Sequence, residues 1–255
     1  MIEVTGSMIA AAAGIIFLST ILRTMTGFGF ALLAVPLMTL LWPPLQAVAI
    51  VALFQTVSTL PVLVREFALV DRRLLAGVSI GALIGMVPGL WLLHYLPEVL
   101  LRVALAATFL LSIAAVLLKE RFGETASPLR LTVIGFCSGF CQGLAASAGP
   151  PLMAGLLSIP SMEARAIRIT ASAVFCLLGL ISLATLGAGG ALKTLTLWQY
   201  AIVGIGLLAG HWVGEKMFSV VGDRDFRRLA LLVLIVSALI TLIPLWSQIE
   251  WKPYA

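Results

Sequence analysis

Two stretches decide the fold: Arg23-Thr-Met-Thr-Gly-Phe-Gly-Phe-Ala-Leu-Leu-Ala-Val-Pro-Leu-Met38 and Gln142-Gly-Leu-Ala-Ala-Ser-Ala-Gly-Pro-Pro-Leu-Met153. Each interrupts an apolar run with glycine, hydroxyl and proline residues, which end or bend helices. The runs that hold them, residues 8–42 and 130–158, are too long for one membrane crossing. As one straight helix, residues 8–42 would run roughly 50 Å, against a hydrocarbon core of about 30 Å. Both runs are therefore expected to break into half-helices.

Outward from these lie six further apolar runs, at about 45–64, 74–96, 98–118, 166–187, 197–219 and 227–246. Each has the length of a single crossing, about 20 residues. Composition agrees: 61% of the 255 residues are hydrophobic and 11% charged, with a mean hydropathy of +1.14. A soluble domain carries about 25% charged residues, so this chain cannot coat a globule with polar surface. The expectation is an all-α polytopic membrane protein, one membrane domain over residues 1–255. Met1–Ser7 lacks a basic n-region, so the first run reads as a membrane segment and not a removed signal peptide.

The two interruptions are related. Setting Pro36-Leu37-Met38 over Pro151-Leu152-Met153 also brings Pro43-Pro44 to Pro160, and Ala47-Val-Ala-Ile50 to Ala164-Arg-Ala-Ile167. Gln55 and Thr56 then fall near Thr170 and Ser172. The chain reads as two repeats of four segments, 8–118 and 130–246. Between them lies a cytoplasmic linker, 119–129, whose polar part is Lys119–Ser127. Two copies at this period indicate a duplicated transporter unit and not a solenoid.

Loop charge orients the segments. If each broken run crosses once, the basic loop residues divide evenly between the two sides. If each returns as a hairpin, one side collects Arg65, Arg72, Arg73, Lys119, Arg121, Arg130, Arg165, Arg168, Lys216, Arg224, Arg227 and Arg228. The other side keeps Arg102, Lys193 and Lys252. The positive-inside rule selects the hairpins, with the basic side cytoplasmic and both termini outside. Each repeat then has three full crossings, an odd number, so the two are inverted relative to one another. The net charge of +5 therefore reads as topology and not as a nucleic-acid surface.

Breaks inside a membrane expose backbone N–H and C=O groups, tolerated only where protein or a water-filled cavity covers them. The N-terminal ends of the second half-helices, near Gly27–Phe30 and Ala148–Pro151, point positive dipole ends inward and suit an anion. Gly27, Gly29, Gly143 and Gly149 permit close backbone approach, although helix packing alone also selects such glycines. Arg23 is the charge deepest in an apolar run, which marks it as functional unless it snorkels to a surface. Arg168 either lines the inner mouth or anchors topology. Thr26, Gln55, Thr56, Gln142, Ser147, Thr170 and Ser172 are candidate hydrogen-bond donors, though singly each fits helix–helix glue as well. Phe28, with Phe30 and Phe54, would wall the pocket.

All eleven Asp and Glu residues sit at run ends or in loops, so no interior carboxylate carrier is visible. Cys137 and Cys141 share a helix face but lack further ligands, and no metal or cofactor is expected. His211 and Glu215 share a helix face too, as a proton relay or as an interfacial contact. His94 is isolated. No nucleotide-binding, serine-hydrolase or zinc-protease motif is present.

Gly27-Phe-Gly-Phe-Ala-Leu-Leu-Ala-Val-Pro-Leu-Met38, Pro43-Pro44 and Ala47-Val-Ala49, with the degenerate second copy Gly143–Met153, Ile159-Pro160 and Ala164-Arg-Ala166, resemble the sulfite exporter TauE/SafE family. That family is also called the four-toluene sulfonate uptake permease family. The resemblance covers nearly the whole chain. It implies a secondary transporter of small sulfur-containing anions, such as sulfite and organosulfonates, mostly for export, in a bacterial inner membrane. The chain departs from the glycine-rich family pattern at Phe28, Phe30 and Ala145-Ala146-Ser147, which puts the particular anion in question. No enzymatic activity is expected. A membrane enzyme acting on a lipid-type substrate would need a denser polar cluster, and a scaffold would not need two inverted breaks. The expected partners are a small anion and the lipid bilayer; a homodimer is left open.

Overall fold

The computed structural model describes residues 4–117, 127–157 and 164–218. The eighth expected segment, 227–246, and Lys119–Ala126 of the linker lie outside the described residues. Among those described the chain is all-α: α1 Gly6–Thr26, α2 Phe30–Met38, α3 Pro44–Glu66, α4 Arg72–Tyr95, α5 Glu98–Leu117, α6 Pro128–Ala145, α7 Gly149–Leu157, α8 Ala164–Ala188 and α9 Leu197–Phe218. Short 3-10 turns follow α3 and α8. Local chemistry sets these limits. Pro44 starts α3 and Pro128 starts α6, where a missing N–H costs nothing. Asp71 Oδ1 caps α4 by accepting from the N–H groups of Arg73 (2.9 Å) and Leu74 (3.0 Å), and Ser127 Oγ caps α6 from Arg130 N–H.

Among the described residues, four helical stretches are long and apolar enough to cross a membrane: Gly6–Met25, Pro44–Glu66, Arg72–Tyr95 and Ile169–Ala188. Outward-facing Leu18, Val64, Ile84, Val87, Leu111 and Leu208 are more than half exposed. That belt would be an aggregation surface in water and is an ordinary lipid-facing one in a bilayer.

Two seams set helix direction. A methyl group at Gly81, Gly85 or Gly89 of α4 would strike the backbone oxygen of Thr132, Phe136 or Phe140 of α6. In α9, a methyl at Gly206 or Gly210 would strike the backbone oxygen of Ala13 or Phe17 of α1, and Gly214 lies against Ile21 and Thr24. Residue numbers rise together along both seams, so α4 runs parallel to α6, and α9 to α1. At one end of the bundle, Arg65 pairs with Glu215 at 3.9 Å and Asp71 N–H donates to Thr170 Oγ1 at 3.1 Å. The end of α3, the starts of α4 and α8 and the end of α9 therefore meet there. Arg72, Arg73, Arg130 and Lys216 lie at this basic end, while Arg102 and Lys193 lie at the other.

Both broken runs double back. Arg130, in the first turn of α6, donates to the backbone oxygen of Gly155 near the end of α7 (3.2 Å), which makes α6 and α7 a hairpin rising from the basic end. α1 starts at the opposite end, and α2 returns to it: Arg102 at the start of α5 donates to Thr39 O at 3.2 Å. The two hairpin tips touch, since a methyl at Gly149 would sit 3.0 Å from Phe28 Cβ. The arms are not equal halves. α1 has 21 residues, about 31 Å at 1.5 Å each, and α2 has nine, about 14 Å. The two breaks also correspond one helical turn away from the proline motif. Phe30 answers to Gly149 and Met38 to Leu157, whereas the motif sets Met38 over Met153.

Candidate functional site

Arg23 sits in the last turn of α1 and is only 7% exposed. Its backbone oxygen accepts from Gly27 N–H at 2.7 Å, closing the helix on a left-handed glycine (φ 78°). Gly29 is left-handed as well (φ 96°), so the chain turns within three residues and α2 begins at Phe30. Only glycine takes both conformations without steric cost. The Arg23 guanidinium reaches the backbone oxygen of Gln55 (3.5 Å), which also accepts from Ser58 Oγ at 2.7 Å. It lies over the Phe175 ring, 5.9 Å from the centroid, a range in which a cation is still attracted to the ring face.

Arg23 stands between two small cavities. The first is lined by Phe28, Gly29, Phe30, Ala31, Gln55, Ser147, Gly149 and Phe175. It therefore opens on the first turn of α2, whose N–H groups have no partner four residues back. Its volume is about 10 Å³, room for about one water. The second, about 20 Å³, is lined by Thr20, Thr24, Gly27, Ser58, Ser172 and His211. A far larger groove, about 550 Å³, lies outside α6, but Leu111, Leu129, Val133, Phe136 and Phe140 make it a lipid-type surface.

The second tip completes the first cavity. Gln142 Oε1 accepts from Ala148 N–H (3.2 Å) and from Gln55 Nε2 (3.4 Å), tying the break to α3. Gln142 Nε2 and Ser147 Oγ are both buried without a hydrogen-bond partner among the described residues. A buried donor left unsatisfied costs about 1–3 kcal/mol. Ser147 lines the same cavity as the buried Arg23, and Gln142 joins it through Gln55.

Of the residues singled out from sequence, Arg23, Phe28, Gly29, Gln55, Ser147 and Gly149 gather at the first cavity; Gly27 and Ser172 gather at the second. Gln142 joins through its hydrogen bonds. Gly143 lies instead in the α4–α6 seam against Met86 and Leu90, so close helix packing accounts for it. Thr56 Oγ1 bonds within its own helix to Ala52 O, beside Gly179. Thr170 sits at the basic end on Asp71. The side chains of Thr26 and Arg168 lie outside the described residues. Phe54 packs against Tyr200, with ring centroids 6.2 Å apart. Sequence reasoning missed Phe175, Ala31, Thr20 and Thr24. Nothing distinguishes Phe175 from other apolar residues of its run until the fold brings its ring under Arg23.

A family model described as Sulfite exporter TauE/SafE matches residues 12–241, from the first turns of α1 through most of the last apolar run. No curated protein and no solved structure matches the chain.

Proposed function

Because the chain belongs to the sulfite exporter TauE/SafE family, whose members are membrane transporters of sulfite-type anions, we propose that it is a secondary carrier exporting small sulfur oxyanions by alternating access. The observation that carries this reading is the buried Arg23 guanidinium at the meeting point of two hairpin tips. An arginine held that deep in a membrane segment marks a functional site. Sulfite or a sulfonate headgroup offers three oxygens. The Arg23 fork would take part of the charge, and the first N–H groups of α2 and the Ser147 hydroxyl would take the remaining acceptors. Phe28, Phe30 and Phe175 would exclude water and strengthen those contacts.

The first cavity holds about one water, so a sulfite-sized anion enters only when the tips part. Binding is thereby tied to a conformational step. The seams support a pair of inverted units: Gly81 and Gly85 meet Thr132 and Phe136 as Gly206 and Gly210 meet Ala13 and Phe17. The hairpins enter from opposite ends, which suits rocking of one unit against the other. Basic residues gathered at one end support a cytoplasmic face there, with the N-terminus outside.

The test is the thermal midpoint of purified protein against sulfite, thiosulfate, sulfoacetate, taurine, small carboxylates and chloride. A ligand that binds only the native state raises the midpoint by mass action. A rise with a sulfur oxyanion, absent in Arg23→Ala, is the expected result. A rise retained in Arg23→Ala would remove Arg23 from the site, and a rise with carboxylates alone would move the substrate class.

A further inference from the structure

His211 and Glu215 form a row that leads from the second cavity to the basic end. His211 Nδ1 stands 3.4 Å from Thr24 Oγ1, on the residue next to Arg23. Its other nitrogen, Nε2, stands 3.2 Å from Glu215 Oε1, and that oxygen lies 3.9 Å from Arg65. Side-chain exposure rises along the row, from 30% at His211 to 53% at Glu215 and 73% at Arg65, so its outer end is in water. Among the described residues the charged and titratable groups around His211 are Glu215 on its own helix, Arg23 of α1 across the cavity, and Arg65 of α3 beyond Glu215. α3 and α8 add the hydroxyls of Ser58 and Ser172.

We infer that His211 is the proton-coupling residue of the carrier, binding one proton as each anion binds at Arg23; this rests on the anion-carrier reading above. The charges give the reason. A dianion beside one arginine leaves an uncompensated negative charge in a low-dielectric interior, which is costly. A protonated imidazole on the far side of Arg23 offsets it. With the site empty, imidazolium and guanidinium repel across the cavity. Anion binding and proton binding therefore favour each other, and by linkage the preference is reciprocal. The proton arrives from water at the basic end, passes by Glu215 to His211 Nε2, and returns to water when the anion leaves. One dianion and one proton move as a net single negative charge, which an inside-negative potential expels. Among the described residues no Asp or Glu is buried, so no interior carboxylate there competes for the task.

The experiment uses proteoliposomes of the full chain, with sulfite and with sulfoacetate as probes. One arm measures exchange at equal pH and equal anion on both sides. The other measures uptake driven by an acidic exterior, with the potential clamped at zero and the signal of protein-free vesicles subtracted. One proton per anion gives about tenfold accumulation per pH unit. His211→Gln is expected to exchange anion yet accumulate none. Wild-type exchange without pH-driven accumulation overturns the inference alone, as does His211→Gln accumulating like wild type. No exchange of either probe by wild type overturns the anion-carrier reading, and the coupling with it. If His211→Gln neither exchanges nor stays folded, Glu215→Gln on the exposed end decides. Its accumulation should fall severalfold while exchange persists, and unchanged accumulation overturns the relay.

Discussion

The two hairpin tips occupy corresponding places and differ in nearly every side chain. At the first, Gly27-Phe28-Gly29 turns on two left-handed glycines, Arg23 stands one turn before it, and Phe30-Ala31-Leu32 follows with N–H groups intact. At the second, Ala146-Ser147-Ala148 turns on a left-handed alanine (φ 51°), Gln142 stands in the place of Arg23, and Gly149 leads into Pro150-Pro151, which have no N–H to offer. Gln142 turns its oxygen on the backbone of its own tip, at Ala148. The first tip is thus charged and rich in donors, and the second is neutral, its Gln142 oxygen spent on its own backbone while Gln142 Nε2 and Ser147 Oγ lack a hydrogen-bond partner among the described residues. The positive charge thus lies on one side of the contact, and the neutral tip closes against it.

The arms that carry the tips differ in the same sense. Across the α4–α6 seam both helices contribute glycine, and Gly139 of α6 faces the Ala82 backbone as Gly81 of α4 faces Thr132. Across the α1–α9 seam only α9 does, and α1 presents Thr20 and Thr24 to Gly210 and Gly214. The largest predicted effect lies there. Gly139→Val should push α6 off α4 and leave little folded protein, read as loss of the monodisperse peak on size exclusion. Thr20→Val, in the looser seam, should leave that peak in place. Equal outcomes would mean that the two arms are held alike.

Next in size is the substitution that makes the tips alike. Arg23→Gln should lower sulfite exchange in proteoliposomes about 100-fold or more, because loss of a buried ion contact costs about 3 kcal/mol or more, while the elution profile stays that of wild type. Exchange within a few-fold of wild type would mean that the asymmetry of the tips is not electrostatic. Gln142→Ala tests the neutral tip. It strands Ala148 N–H and the Gln55 amide, and should destabilise the protein by about 1–3 kcal/mol, seen as a lower thermal midpoint with a smaller loss of exchange than Arg23→Gln gives.

Both interruptions were readable from sequence because glycine, proline and hydroxyl residues clustered inside an apolar run stop a helix where its length alone would carry it on. Their return to the same end was readable too, since only that arrangement sorts Arg65, Arg72, Arg73, Arg130 and Lys216 away from Arg102 and Lys193. The register in which the two breaks match was not. Pro-Leu-Met is the most similar pair of tripeptides, yet the hairpins turn at Gly27–Gly29 and Ala146–Ala148, and helix starts follow backbone geometry and not the motif. The second cavity was hidden for another reason. Thr24 and His211 meet only because α9 lies parallel to α1, and the signal for that was glycine at every fourth place, Gly206, Gly210 and Gly214. That spacing permits close approach without naming the partner helix.

The smallest predicted effect bears on the turn itself. Ala146 holds a left-handed conformation that an L side chain adopts at a cost of about 1–2 kcal/mol, whereas Gly27 and Gly29 adopt theirs freely. Ala146→Gly removes that cost. It also removes a fully buried methyl, worth about 0.8 kcal/mol, and adds backbone freedom to the unfolded chain. The terms nearly cancel, so the thermal midpoint of Ala146→Gly should stay within about 2 °C of wild type. Gly27→Ala has no such offset: the strain arrives with no strain relieved elsewhere, and the midpoint should fall by several degrees. A silent Gly27→Ala would mean that the charged tip can turn on alanine as the neutral one does. Its glycines would then serve the approach of an anion to the backbone and not the turn, so sulfite exchange, and not the midpoint, would register the change.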